Sequence, residues 1–306
     1  MESFEISENL GGAPGNVQAA ATGSIPTPSR NVYPQSCPSC EANNGALGAV
    51  APPAYVYAVG RIEPRFPRIS VEKEFAQVLA RDSTKGLPDR KALQSVMSKP
   101  QNRYLARQMC WVMSIAGLET YLLVPRDPND LHLLTESLRP TANPRELDVV
   151  IGVKGPIVPP EVCNGLMIPV VAVDQIYSFD RDSLIKSIPE PEKAVDDFSG
   201  AAEELFDRIM QITDNAGATD DHRALNYLAM RYHGIYARAA EAFANNASLS
   251  AVETRPSPLS GARNIVDVIF SYTNRNTDVT EKSFVRVDVT EEFPYLTSKI
   301  APYYDR

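Results

Sequence analysis

The sharpest local chemistry in the chain is Cys37-Pro38-Ser39-Cys40. Two thiolates separated by two residues on a loop point at a common ion, and tetrahedral zinc asks for two further soft ligands. The 306 residues include four cysteines and no second CxxC, so the remaining ligands would be Cys110 and Cys163. The candidate is a structural zinc site of Cys37, Cys40, Cys110 and Cys163. The competing reading makes Cys110 a buried core thiol beside Trp111, and Cys163 an incidental residue after Pro159 and Pro160. A redox role for the close pair has less support, because no strand-to-helix junction of the thioredoxin kind surrounds it.

The densest charged cluster is RIEPRFPR, with Arg61, Glu63, Arg65 and Arg68 set among Phe66 and two prolines. It reads either as a recognition loop for a peptide or as local salt bridges pinning a turn. His222 and His233 fall eleven residues apart on one predicted helix, about 16 Å along its axis, which is too far to share a metal. His132 is the remaining histidine. No GxSxG elbow, HExxH pair or phosphate-binding glycine loop is present. The carboxylates are spread through EKEF, AVDDF, AAEEL and TDDHR, where acids favour helix starts. No complete catalytic constellation emerges, so binding or scaffolding is the expectation.

The elements that must position these residues fit a mixed α/β chain of the α+β kind, a central mixed sheet packed by several helices. AYVYAVGRI predicts a strand at 54–62, followed by a helix capped by Ser70, a second over 89–97 and a third over 102–115. Short apolar runs at 120–124, 131–134, 148–153 and 166–173 predict strands, with Pro169 implying an edge or a bulge in the last. Two long helices are expected over 197–212 and 220–245. NIVDVIFSY and SFVRVDVTEEF, joined by TNRNTD, predict a hairpin. Residues 1–36 read as a flexible, disordered N-terminal linker ahead of a single domain over 37–306.

Thirty Lys+Arg against 38 Asp+Glu give a net charge of −8, a field that repels phosphate backbones, so no nucleic-acid partner is expected. No apolar run reaches the about 20 residues of a membrane span, and MESFEISENLGG is no signal peptide, so the expected setting is the cytosol, with no membrane partner.

Three stretches are distinctive when taken together: YVYAVGRIEPRFPRISVEKEFAQ at 55–77, NRYLARQMCWVMSIAGLETYLLVPRDP at 102–128, and RNIVDVIFSYTNRNTDVTEKSFVRVDVTEEFPYL at 263–296. With EVCNGLMIPVVAVDQIYSFDRD at 161–182, they make the chain from about Cys37 to Arg306 resemble the C-terminal domain of unknown function of cyanobactin maturation proteins, of the PatG and PatA type and closer to PatG. The resemblance implies a place behind a subtilisin-like protease or macrocyclase whose catalytic residues lie in another domain. It implies a non-catalytic accessory role: docking a precursor peptide or other maturation enzymes, or holding a homo-oligomer together. The rival is a peptide-modifying enzyme not visible in the sequence, zinc-dependent if the cysteines leave a coordination position open.

Overall fold

The computed structural model describes residues 53–81, 89–141, 143, 145–188, 198–212 and 214–304. The expected linker over 1–36, and Cys37 and Cys40, lie outside the described residues. The fold is mixed α+β, but the strands form two sheets rather than one central sheet.

The first sheet closes on itself. Strands β1 (Ala54–Arg65), β2 (Cys110–Ile115), β3 (Leu118–Pro125), β4 (Glu146–Ile157) and β5 (Pro169–Asp180) form a barrel in the order β1-β2-β3-β5-β4. Every neighbouring pair is antiparallel except β3 and β5, which run parallel. Helices α1 (Ile69–Arg81), α2 (Asp89–Met97) and α3 (Arg103–Gln108) lie between β1 and β2, and α4 (Leu131–Ser137) between β3 and β4. This order, with a helix in the β3–β4 connection and a parallel β3–β5 pair, is the arrangement of the five-stranded OB barrel.

Strand β1 closes the barrel by changing partners. Ala54 to Gly60 pair with β4, and Arg61 to Arg65 pair with β2. Gly60 sits at the change, where an added Cβ would collide with the Ser114 carbonyl. The amide of Ile62, just past the change, donates 2.9 Å to the buried Asp148 carboxylate, which also accepts 2.5 Å from the Ser178 hydroxyl. Before Gly60 the strand is buried on both faces: Val56 and Ala58 face the barrel core, and Tyr57 and Val59 face a second core outside it. That double burial explains the weak alternation of AYVYAVG.

The second core fills the space between the barrel wall, helices α5 (Arg181–Ser187), α6 (Phe198–Met210), α7 (Asp220–Arg231) and α8 (Gly234–Ala244), and the inner face of the second sheet. That sheet is antiparallel, in the order β10-β8-β7-β6, from strands β6 (Ala247–Pro256), β7 (Ile265–Asn274), β8 (Thr280–Asp288) and β10 (Ala301–Pro302), with β9 (Tyr295–Leu296) also on β8. The expected hairpin is β7–β8; the Asn274 side chain accepts the amides of Asn276 and Thr277 at 2.9 and 3.1 Å and sets its turn. Thr219 caps α7 by accepting the His222 amide, and Asp180 caps α5 by accepting the Ser183 amide.

Three expectations for single elements are corrected. The helix placed over 102–115 ends at Gln108, and Cys110–Ile115 is strand β2. Its apolar spacing imitated a helix because Trp111 and Met113 fill the barrel while Cys110 and Val112 are buried on the outer side, so no polar face remains. Leu131–Leu134 is the start of helix α4 rather than a strand, entered through a 3-10 turn in which Asp127 accepts the Asn129 amide. The helix expected over 220–245 breaks at Tyr232 and His233 into α7 and α8. Pro169 opens β5 beside a register irregularity, as its ring requires.

Candidate functional site

Between the start of α1 and the β4–β5 loop, a groove of about 350 Å³ runs across the barrel surface, from Pro64–Glu72 on one side to Cys163 and Asn164 on the other. It joins two features that the sequence keeps apart, the RIEPRFPR cluster and the cysteines.

Arg61, Glu63 and Arg65 alternate along β1 on its outward face with buried or half-buried residues between them, and all three are exposed. Arg68 follows at the head of α1, also exposed. Arg65 forms an ion pair with Glu119 of β3, and Arg90 reaches Glu63 at 3.2 Å. The guanidinium of Arg68 has no ion-pair partner among the described residues. Arg65 and Arg68 line the groove; Arg61 and Glu63 line two other hollows, of about 40 and 480 Å³. The structure thus spreads the four expected recognition residues over three hollows.

Beside this row, the outer face of β2 and β3 carries Cys110, Val112 and Leu122 in a small core of their own, covered by Val158, Cys163, Leu166 and Ile168 from the β4–β5 loop. Cys110 and Cys163 are joined as a disulfide with Cα atoms 6.0 Å apart, which pins that loop to the barrel. Neither residue is the isolated core or loop cysteine of the competing reading. In this form their sulfurs carry no thiolate for a metal. Among the described residues, no cluster of three or more His, Cys, Asp or Glu is disposed around a common point for an ion.

Two further arrangements escaped the sequence. In β5 the register against β4 slips between Val173 and Gln175, and this bulge turns out Asp174. Arg126, just past β3, donates 2.7 Å to Asp174 Oδ1 and lies 3.7 Å from Glu292 Oε2. Asp174 Oδ2 and Glu292 Oε1 are both buried without any other hydrogen-bond partner. Burial, then the hydrogen bond and negative charge of Asp174, push the Glu292 carboxyl up to about 7, against the pull of Arg126 and Arg223. The loop that carries Glu292 is gripped by Arg223 of α7, whose guanidinium donates to the carbonyls of Val289, Glu291 and Glu292 and stacks 5.2 Å over the Tyr55 ring.

The second arrangement is a phenol pair. The Tyr57 and Tyr177 hydroxyls meet at 2.5 Å on the barrel's outer wall, with Arg231 stacked 4.7 Å over Tyr177. Burial raises both phenols above their ordinary range, so both stay neutral. Beneath them Asn226 donates 2.8 Å to the Tyr57 carbonyl and is paired with Asn215. No composition signal marks either arrangement, because the partners lie about a hundred residues apart in the chain.

The histidines are scattered. His222 lies on α7, where burial lowers its pKa, and His233 lies in the break before α8, so the two do not share a helix. His132 sits 2.9 Å from the Asn129 carbonyl. Among the described residues, no helix is long and apolar enough to cross a membrane.

The C-terminal part of the chain carries a likeness to a known family. Residues 192–303 match the PatG C-terminal family. That span holds α6 to α8 and the second sheet, including the hairpin stretch on which the resemblance was drawn. The fold is similar to a solved structure described as "PatG Domain of Unknown Function", with a TM-score of 0.67, 20% identity, and coverage of 82% of this chain and 98% of that one. A share that large extends well beyond residues 192–303. At that identity the likeness shows a common fold. No curated protein matches the chain.

Proposed function

We propose that this chain is a non-catalytic accessory domain of cyanobactin biosynthesis, acting in the cytosol beside a subtilisin-like protease or macrocyclase by docking a precursor peptide or another maturation enzyme. The observation that carries this reading is the row of Arg61, Glu63, Arg65 and Arg68, exposed on the barrel surface with a groove alongside it. Charged side chains held on a strand by buried neighbours form a rigid recognition surface, and tethering such a surface to a protease raises the local concentration of what it binds. The PatG-type likeness supports the choice of pathway. Calorimetric titration of the chain with precursor peptide is expected to give heat; silence at high micromolar peptide would remove the reading. Light scattering tests the accompanying expectation of a homo-oligomer, which a monomer at micromolar concentration would overturn.

A second reading keeps zinc. The adjacency of Cys110 and Cys163 favours it, since two sulfurs already brought together could serve as half of a tetrahedral site once reduced, with Cys37 and Cys40 as the other half. Protein prepared under reducing conditions without chelator would then hold one zinc per chain. No bound zinc under those conditions removes this reading, together with the zinc-dependent enzyme that rests on it.

A further inference from the structure

In OB barrels, extended polymers lie across the face of β2 and β3, flanked by the loops that join β1 to β2 and β4 to β5. The groove described above is bounded by those same two loops: Pro64–Glu72 belongs to the end of β1 and the start of the first connection, and Cys163–Asn164 to the second. We propose that this groove is the docking site of an extended peptide segment that carries a carboxylate side chain next to a large apolar one. The proposal rests on the docking reading and gives it a location and a ligand chemistry.

The chemistry follows from the lining. Arg68 offers an exposed guanidinium with no ion-pair partner among the described residues, whereas Arg65 is already paired with Glu119. Glu72 is the one carboxylate of the lining, and Arg68 is the one cation there without an ion-pair partner among the described residues, so the charge left to satisfy is positive. Charge complementarity therefore selects an acid. Ile69 is 69% exposed at the same place, an apolar side chain with nothing over it. Phe66 forms a firm wall, its ring 5.4 Å from that of Phe75. The opposite wall is fixed by the Cys110–Cys163 bridge. A volume of about 350 Å³ holds a few side chains of an extended strand and is too small for a folded partner.

The same face argues against an oligonucleotide. Single-stranded nucleic acids stack their bases on exposed aromatic rings. The aromatic residues that β2 and β3 provide, Trp111 and Tyr121, both point into the barrel core and are 2% exposed. Val112 and Leu122 on the outer side are already covered by the β4–β5 loop.

The test uses the full chain and a fluorescein-labelled twelve-residue peptide of alternating leucine and glutamate, read by anisotropy, with labelled oligothymidylate as a second probe. Arg68→Glu and Ile69→Asp are both on the surface, and circular dichroism checks their fold. Each is expected to weaken peptide binding by about tenfold or more, the scale of losing one well-placed charge or anchor at an interface. Tyr304→Ser, at an 80% exposed position bordering a different hollow, is expected to leave binding unchanged. Binding that survives both groove variants, or that falls equally with Tyr304→Ser, overturns the groove and leaves docking elsewhere on the chain. A wild-type chain that binds neither this peptide nor precursor peptide overturns the groove and the docking reading together. Tighter binding of oligothymidylate than of peptide overturns the ligand class.

Discussion

Replacing Glu292 with glutamine isolates a single proton. Asp174 Oδ2 and Glu292 Oε1 have no other partner, so one hydrogen shared between them satisfies both atoms, and its loss leaves two buried acceptors with like charge. With the folded-state value pushed up to about 7 from an ordinary 4.5, the folded chain keeps a proton that the unfolded chain has released. The stabilisation is complete below about pH 4.5, declines across the interval and is gone above about 7. A shift of that size would be worth about 3 kcal/mol for a dry group. Glu292 retains some solvent contact, which reduces the expectation to about 1–2 kcal/mol. That corresponds to a fall in Tm of about 3–6 °C between pH 5 and 8 for a domain of this size. In Glu292→Gln the amide donates the missing hydrogen at every pH, so the difference between its melting curve and that of the wild type should grow in the variant's favour from pH 5 to 8. Differential scanning fluorimetry at half-unit steps measures this, and taking the difference cancels the histidines and other common groups. A difference that stays flat across that range, or that favours the wild type at pH 8, refutes the shared proton.

Three further outcomes follow from the barrel and its bridge. Closing the 53-residue separation between Cys110 and Cys163 restricts the unfolded chain by about 4 kcal/mol in the loop-entropy account, so Cys110→Ser should lower urea stability by about 2–4 kcal/mol under oxidising conditions and by much less in the presence of dithiothreitol. Asp148→Ala leaves the Ile62 amide buried without its acceptor and should cost about 1–3 kcal/mol in equilibrium denaturation; no loss would mean that another group reaches that amide. Gly60→Ala drives a methyl into the Ser114 carbonyl where β1 changes partners and should destabilise by about 1–3 kcal/mol, seen as a lower denaturation midpoint with an unchanged slope.

What could be read in the sequence was whatever repeats over a few residues. The β7–β8 hairpin was legible because two β-branched, apolar runs flank the turn-like TNRNTD, whose first polar residues include Asn274. The helices α6 and α7 showed themselves by their apolar stripes. Strand β2 was not legible, since CWVMSI is buried on both faces and its apolar positions continue the helical spacing of Leu105 and Met109. Nor was β6, where ASLSAVETRP is half-buried along most of its length and presents no contrast. Of the candidate site, the row at Arg61–Arg68 was visible as composition alone. Its division among three hollows depends on which distant segments pack beside each residue, which tertiary contacts decide and the local sequence does not mark. The carboxyl pair was invisible, because Asp174 owes its orientation to a bulge and Glu292 approaches it from a loop 118 residues away.

The double burial of β1 has a consequence for how the domain comes apart. Tyr57 and Val59 belong to one hydrophobic mass and Val56 and Ala58 to the other, so this stretch of β1 is a party wall between the two. Neither mass can melt while that wall stands, and the wall cannot fail without exposing both. Calorimetry should therefore record one endotherm, and a fragment that begins after the barrel should fail to hold its helices. A joint of this kind passes any strain on one mass straight to the other, and makes the barrel and the segment that follows it one folding unit.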